Sequence, residues 1–229
     1  MIWATVKIMK TALIKGLFVS FFLLLIMPYA ISCEHGDAAD LSVHASYRMR
    51  LNLRVKQFVK SYIQSNRTTL SNIKKRSQAP FTIADSVLTH YSLPSQLKYL
   101  EVIESELKPS AVSRVGAVGP WQLMPATARI LGLKITHARD ERMLYGKSTT
   151  AAARYLKDLY AEYGDWLLVL AAYNGGEGPV NHAIHASGSH NFWQLQAYLP
   201  AESRGHVKKF IATLYYFEGQ SSMTQFASL

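Results

Sequence analysis

The chain reads as an all-α protein, and three observations lead there. Apolar residues recur at three- and four-residue intervals across most of residues 82–214. Proline and glycine punctuate the same stretch at intervals that suit short helices. No segment shows the sustained alternation of a long half-buried strand.

Taken in order, Thr82 to His90 fits one helix, stopped before Pro94. Ser95 is placed to cap a second, running to about Leu107 and ending before Pro109. A loop with Gly116 and Gly119 follows, and Pro125 to Leu131 forms a short helix with Gly132 as its stop. Ser148 or Thr149 is placed to cap a longer helix carrying Ala152, Tyr155, Leu156, Leu159, Tyr160 and Tyr163 on one face. Asp165 is placed to cap the run Trp166 to Tyr173, which is apolar all round and therefore expected at the centre of the core. Asn174-Gly175-Gly176 ends it, and Gly178-Pro179 opens another helix through Ile184. The last helix starts at Pro200 and turns Val207, Phe210, Ile211 and Leu214 to the core.

The 229 residues carry a formal net charge of +10, unevenly spread. Lys7, Lys10 and Lys15 precede the apolar run Gly16–Ile26, which Pro28 breaks before Ala30 and Ser32. Residues 1–33 thus read as an export signal, with a run too short for an ordinary membrane span. Cys33, the only cysteine, follows Ala30-Ile31-Ser32 and resembles a lipobox cysteine. Cleavage after Ser32 and an uncleaved signal anchor are the alternatives, and all three place the remainder outside the cytoplasm. One cysteine excludes an internal disulfide. Residues 34–80 read as a basic linker and helical segment with partial burial. Residues 41–84 hold nine Lys/Arg and no acid, a pattern that suits an anionic envelope surface or a solvated stalk. Residues 81–219 form the expected domain, and 220–229 a tail. The export signal argues against a nucleic-acid partner, and the histidines lack paired metal-ligand spacing.

The stretch from Ile103 to Ala128 carries the chemistry. On a helical wheel for Leu97–Leu107, Leu97, Leu100, Ile103 and Leu107 share an apolar arc. Glu104 falls within that arc, whereas Glu101 and Glu106 fall outside. Glu104 is therefore expected, alone of the three, to face packed apolar surface. Desolvation there raises a carboxyl pKa, as a general acid near neutral pH requires. A structural acid paired with Arg114 or Arg129 fits the same placement. The other acids read as helix-start or outer-face residues, with Glu177 the one candidate for a second catalytic acid. Trp121 and Trp193 suit core packing better than sugar stacking.

Glu104-Ser105, Pro109, Ala111, Ser113, Gly116-Ala117-Val118-Gly119, Gln122-Leu123-Met124-Pro125 and Thr127-Ala128 follow one another in order. Ala172-Tyr173-Asn174-Gly175-Gly176-Glu177-Gly178 and Leu199 to Val207 come later. Together these motifs resemble the lytic transglycosylase family of lysozyme-like folds, over about residues 81–218. Within it the likeness is greatest to the membrane-bound lytic murein transglycosylase D group. The resemblance implies a lysozyme-like fold and cleavage of the β-1,4 bond between N-acetylmuramic acid and N-acetylglucosamine in peptidoglycan, leaving a 1,6-anhydro end. It implies Glu104 as the single catalytic acid and base, supported by Ser105. It implies Gln122, Met124, Tyr173 and Asn174 as substrate-binding residues. His206 stands where the family's closing motif usually carries tyrosine, and is either a substitute at the site or a core-edge residue. The implied partners are glycan strands and a membrane, with a monomer and no cofactor or metal. A goose-type lysozyme-like hydrolase and a non-catalytic peptidoglycan-binding envelope protein are the alternatives.

Overall fold

The computed structural model describes residues 55–226. The export-signal reading of residues 1–33 and the lipobox reading of Cys33 lie outside the described residues. Within them, residues 55–65 are helical (α1), followed by α2 (Arg67–Arg76), α3 (Gln78–His90) and α4 (Tyr99–Ser105). After a loop come α5 (Pro125–Ile130), α6 (Tyr145–Tyr163), α7 (Trp166–Gly175), α8 (Glu177–Ser187), α9 (Phe192–Leu195), α10 (Ala201–Glu218) and α11 (Gln220–Phe226). Among the described residues extended pairing is confined to isolated bridges, so the all-α expectation holds.

The apolar run is the centre, as its composition requires. Every residue of α7 from Trp166 to Ala172 is buried, and α6, α8 and α10 pack around it. Asp165 starts it. Its Oδ1 accepts from the backbone N–H groups of Leu167 at 2.7 Å and Leu168 at 3.2 Å. Its Oδ2 accepts from Phe192 N at 3.2 Å, so one carboxylate also ties down the start of α9.

Several boundaries differ from expectation. Helix α3 begins at Gln78 rather than Thr82, since Pro80 sits within its first turn, where no intrahelical donor is needed. The expected helix from Ser95 to Leu107 is a 3₁₀ turn over Ser95–Lys98 continuing into the seven-residue α4. Helix α6 begins at Tyr145, so Ser148 and Thr149 are buried inside it and do not cap it. The Ser148 hydroxyl donates instead to a carbonyl of the preceding turn, Leu144 O at 3.0 Å or Tyr145 O at 3.2 Å.

Residues from 55–80 and from 220–226 both reach the core. Val55, Val59, Leu70 and Ile73 are buried in it. Phe226 is buried as well, with its ring against Phe210 and Trp166. Residues 220–226 are helical, with Phe226 tied to the core, within the stretch read from sequence as a tail.

Candidate active site

Helix α4 is short, and its ending places the key acid. Glu106 and Leu107 both adopt left-handed backbone, at φ 55° and 62°. This closes the helix through Leu107 N to Glu101 O at 3.2 Å and Glu106 N to Val102 O at 3.0 Å. Non-glycine residues there carry strain that the surroundings must hold. Arg76 Nη2 donates to Glu106 O at 2.8 Å, and the Tyr145 hydroxyl donates to Leu107 O. Glu104 and Ser105 thus stand at the very end of α4, where the chain turns sharply into the glycine loop.

That loop is fastened by side chains from four directions. Ser113 Oγ accepts from Ala117 N at 2.9 Å, and short bridges join Val112 to Val118 and Val118 to Leu123. The buried Arg142 guanidinium donates to Gly116 O at 2.9 Å and Leu123 O at 3.0 Å, while Asp140 holds its other edge. Arg142 in turn holds the Asp140 carboxyl below the usual carboxylate range. Gly119, at φ 88°, passes so near this segment that a Cβ would lie 2.0 Å from Arg142 O. The Ser105 hydroxyl donates to Pro120 O at 2.8 Å, with Glu101 O at 3.1 Å as its alternative acceptor. The Tyr173 hydroxyl donates to Trp121 O at 2.7 Å, and Trp121 Nε1 donates to Thr149 Oγ1 at 2.9 Å.

Gln122 adopts left-handed backbone at φ 46°, and its Nε2 donates to Gly119 O at 2.9 Å and Ala111 O at 3.2 Å. Met124 follows, 42% exposed at the foot of α5. Trp121 is wholly buried and Trp193 packs partly buried against the core, in line with the core reading of both.

Glu104 is half-buried, its side chain 16% exposed. Burial raises its pKa to about 8, with the Lys209 charge pulling in the other direction. Facing it from α10 is buried His206, whose Nε2 lies 3.4 Å from Glu104 Oε1 without forming a hydrogen bond. Burial, and after it the Lys209 charge, lowers the His206 pKa to about 4. From about pH 4 to pH 8 both groups are therefore uncharged. The alternative pairing of Glu104 with Arg114 or Arg129 is not what the fold contains.

Tyr173 comes in from α7. Burial holds its hydroxyl well above the usual tyrosine pKa, and the nearby Glu104 charge adds to the effect. Asn174 follows it, with Oδ1 buried and unpartnered. Gly175 lets α7 approach α10, since a Cβ there would lie 2.4 Å from Ser203 Oγ.

Two features escaped the wheel. Glu101 was expected outside the apolar arc, yet it is 0% exposed and neither carboxyl oxygen has a partner. Burial alone raises its pKa well above the ordinary value. The 3₁₀ entry into α4 advances about 120° per residue instead of about 100°, and α4 is buried on nearly every side. Lys209, which bears on both Glu104 and His206, was also unmarked. Glu177 lies exposed in the first turn of α8, and its charge bears on Tyr155 and Tyr163.

A bundle around a buried central helix, with the raised-pKa carboxyl of Glu104 at the end of α4 where the glycine loop begins, defines a helical domain of the lysozyme-like class. The Transglycosylase SLT domain family matches residues 82–196, and the chain belongs to that family. It is 35% identical over 166 residues to membrane-bound lytic murein transglycosylase D of Escherichia coli K12, covering 70% of this chain and 36% of that protein. It is 33% identical over 111 residues to peptidoglycan transglycosylase gp16 of Escherichia phage T7, covering 47% of this chain and 8% of that protein. The matched region thus spans little more than a third of the longer bacterial relative. The fold is shared with the 70-kDa soluble lytic transglycosylase of Escherichia coli at TM-score 0.55 and 23% identity, over 62% of this chain and 25% of that one. A complex of the 70-kDa soluble lytic transglycosylase with bulgecin A superposes at TM-score 0.58 and 20% identity, over 77% of this chain and 31% of that one.

Proposed function

We propose that the chain is a peptidoglycan lytic transglycosylase acting with one carboxyl group. The observation that carries this is Glu104: a half-buried acid kept protonated up to about pH 8, uncharged His206 opposite it, at the rim of a fastened glycine loop. In this reading Glu104 gives its proton to the oxygen linking N-acetylmuramic acid to N-acetylglucosamine. The C1–oxygen bond breaks, and the N-acetylglucosamine hydroxyl leaves. The muramyl C1 passes through an oxocarbenium-like state, with the N-acetyl group able to assist. Ionised Glu104 then takes the proton of the muramyl C6 hydroxyl as that oxygen bonds to C1. The acid is restored, no water is consumed, and a 1,6-anhydro ring remains.

The companion residues fall into two groups. Ser105, Gln122 and Tyr173 spend their hydrogen-bond donors on backbone carbonyls of the loop. They hold its shape, leaving their outward surfaces to the sugar. Asn174 has an unspent buried oxygen and Met124 an exposed thioether side chain, which suits direct contact with the glycan. His206 lines the acid and keeps its surroundings uncharged. A standard inverting hydrolase needs a second carboxylate about 6.5–9.5 Å away to activate water. The exposed Glu177, whose charge bears on other groups, is a poor fit for that task.

We further propose that the protein works as a monomer, exported to the periplasm and attached to a membrane. Residues 1–33 would direct its export, and the membrane attachment would run through the leader or through Cys33. Among the described residues no helix is long and apolar enough to cross a membrane, so the attachment rests on the leader reading.

The test is digestion of purified peptidoglycan and mass spectrometry of the soluble products. Muropeptides one water lighter and lacking a reducing end support the transglycosylase. Reducing products would replace it with a lysozyme-like hydrolase. No product from folded protein would favour a non-catalytic peptidoglycan-binding role.

A further inference from the structure

A cavity of about 730 Å³, which Glu104 does not line, lies between α1, the start of α2, α10 and the start of α11. Its size falls within the roughly 300–1,000 Å³ of small-molecule sites. Val59 and Ile63 of α1 and Tyr215 of α10 form an apolar floor. Lys56, Lys60 and Arg67 line the same cavity and are exposed. Lys56, Lys60 and Ile63 lie along one face of α1, and Arg67 joins them from the first residue of α2.

These three cations share one cavity. Lys56, Lys60 and Arg67 have neither an ion pair nor a side-chain hydrogen bond among the described residues, and no acid lines the cavity. The acid-free stretch 41–84 supplies all three. A ligand suited to this cavity therefore combines negative charge with an apolar body. An acidic peptide would leave the floor unmatched, and a sugar would leave the cations unmatched.

We propose that this cavity binds one anionic phospholipid from a membrane leaflet, with its phosphate between Lys56, Lys60 and Arg67 and the start of an acyl chain on Val59, Ile63 and Tyr215. The site orients the domain on the membrane surface, independently of the leader and of the reaction at Glu104. Each basic residue near an anionic leaflet contributes about 1 kcal/mol, so reversing all three charges weakens binding by at least roughly 100-fold, about 3 kcal/mol at 1.4 kcal/mol per tenfold.

The test is a native mass-spectrometric titration of the full chain, released from neutral detergent, with phosphatidylglycerol, phosphatidylcholine or glycerol phosphate. One saturable phosphatidylglycerol per chain is expected, with phosphatidylcholine and glycerol phosphate both at least tenfold weaker. The K56E/K60E/R67E variant loses this adduct, and Ile63→Asp, which charges the floor, weakens it. Reversing Arg129, Lys134 and Lys157 leaves it in place. Persistence of the adduct in K56E/K60E/R67E overturns the proposal, because the leader would then be the lipid contact. So does an equal loss on reversing Arg129, Lys134 and Lys157, which would mean diffuse charge. Glycerol phosphate binding as tightly as the lipid would mean a free-phosphate site, and equal binding of phosphatidylcholine would remove the role of the cations.

Discussion

Glu104 Oε1 and His206 Nε2 face each other at 3.4 Å, close enough for an ion pair and yet uncharged on both sides. Burial drives the carboxyl up to about 8 and the imidazole down to about 4, so each group's desolvation favours its own neutral form. An ionised pair would need hydrogen bonds to offset the loss of hydration, and His206 Nε2 has none. The consequence is a carboxylic acid that still holds its proton at neutral pH.

This fixes the pH dependence of the proposed reaction. The acid form is needed for the first proton transfer, so kcat/KM should fall above an apparent pKa of about 8. A profile measured on soluble glycan fragments from pH 5 to 10 checks it. An alkaline limb near pH 5, the position of an ordinary carboxyl, would remove Glu104 as the acid.

Glu104→Gln separates chemistry from folding. Turnover should fall roughly 1,000-fold or more, since general acid–base catalysis alone is worth about 10²–10⁴ and here one group serves twice. Stability should move the opposite way. The native pKa is about 8 against 4.5 for the ordinary group, so between these values the native state holds a proton that the unfolded chain has lost. Native stability therefore falls as pH rises through that window, and removing the carboxyl abolishes this part of the slope. The variant should match the parent near pH 4 and exceed it by a few kcal/mol above pH 8. His206 gives a slope of opposite sign between about 4 and 6.5, which both proteins share. Denaturant titrations at pH 4, 6.5 and 9 measure the difference, and a gap that does not widen with pH would contradict the burial of the charge.

Much of this site was legible in the sequence, for identifiable reasons. The α7 run is apolar on all faces, and only a central position accommodates that. Asp165 marks its start by a cap that needs no distant partner. Glu104 was legible as a candidate, although spacing alone left its partner open. Glu101 was not, because the wheel assumed one uniform helix where the chain runs a 3₁₀ turn into α4. Arg142 could not be found either. Its acceptors are carbonyls of Gly116 and Leu123, 26 and 19 residues away, and backbone acceptors leave no mark on composition. Ser148 and Thr149 misled because a buried hydroxyl can also be satisfied by the preceding helical turn.

Glu101 yields a prediction of its own. Both of its oxygens are buried and unpartnered, and leaving such a group unsatisfied costs about 1–3 kcal/mol. Glu101→Leu, of similar length and without polar atoms, should raise stability by roughly that amount at pH 7. The urea midpoint should increase with an unchanged slope. A loss of stability would mean that the carboxyl has a hydrogen-bonding partner, such as ordered water.

The loop clamp is the counterpart, where removal should be costly. Arg142→Ala strips the donors from Gly116 O and Leu123 O and leaves Asp140 without its buried partner. Breaking a buried pair from one side costs about 3–5 kcal/mol, and the partial exposure of Asp140 places this case towards the lower end. Because Pro120, Trp121 and Gln122 lie between the two released carbonyls, the loop should loosen beside Glu104 as well. Amide exchange should accelerate over residues 113–123 while the amides of α7 keep their order of protection. Activity should fall at 25 °C even where most molecules remain folded, and Arg142→Lys should recover little, since an ammonium lacks the planar fork that spans Asp140 and two carbonyls at once. Unchanged exchange in the loop, with activity retained, would show that Ser105, Tyr173 and Gln122 are enough to hold it.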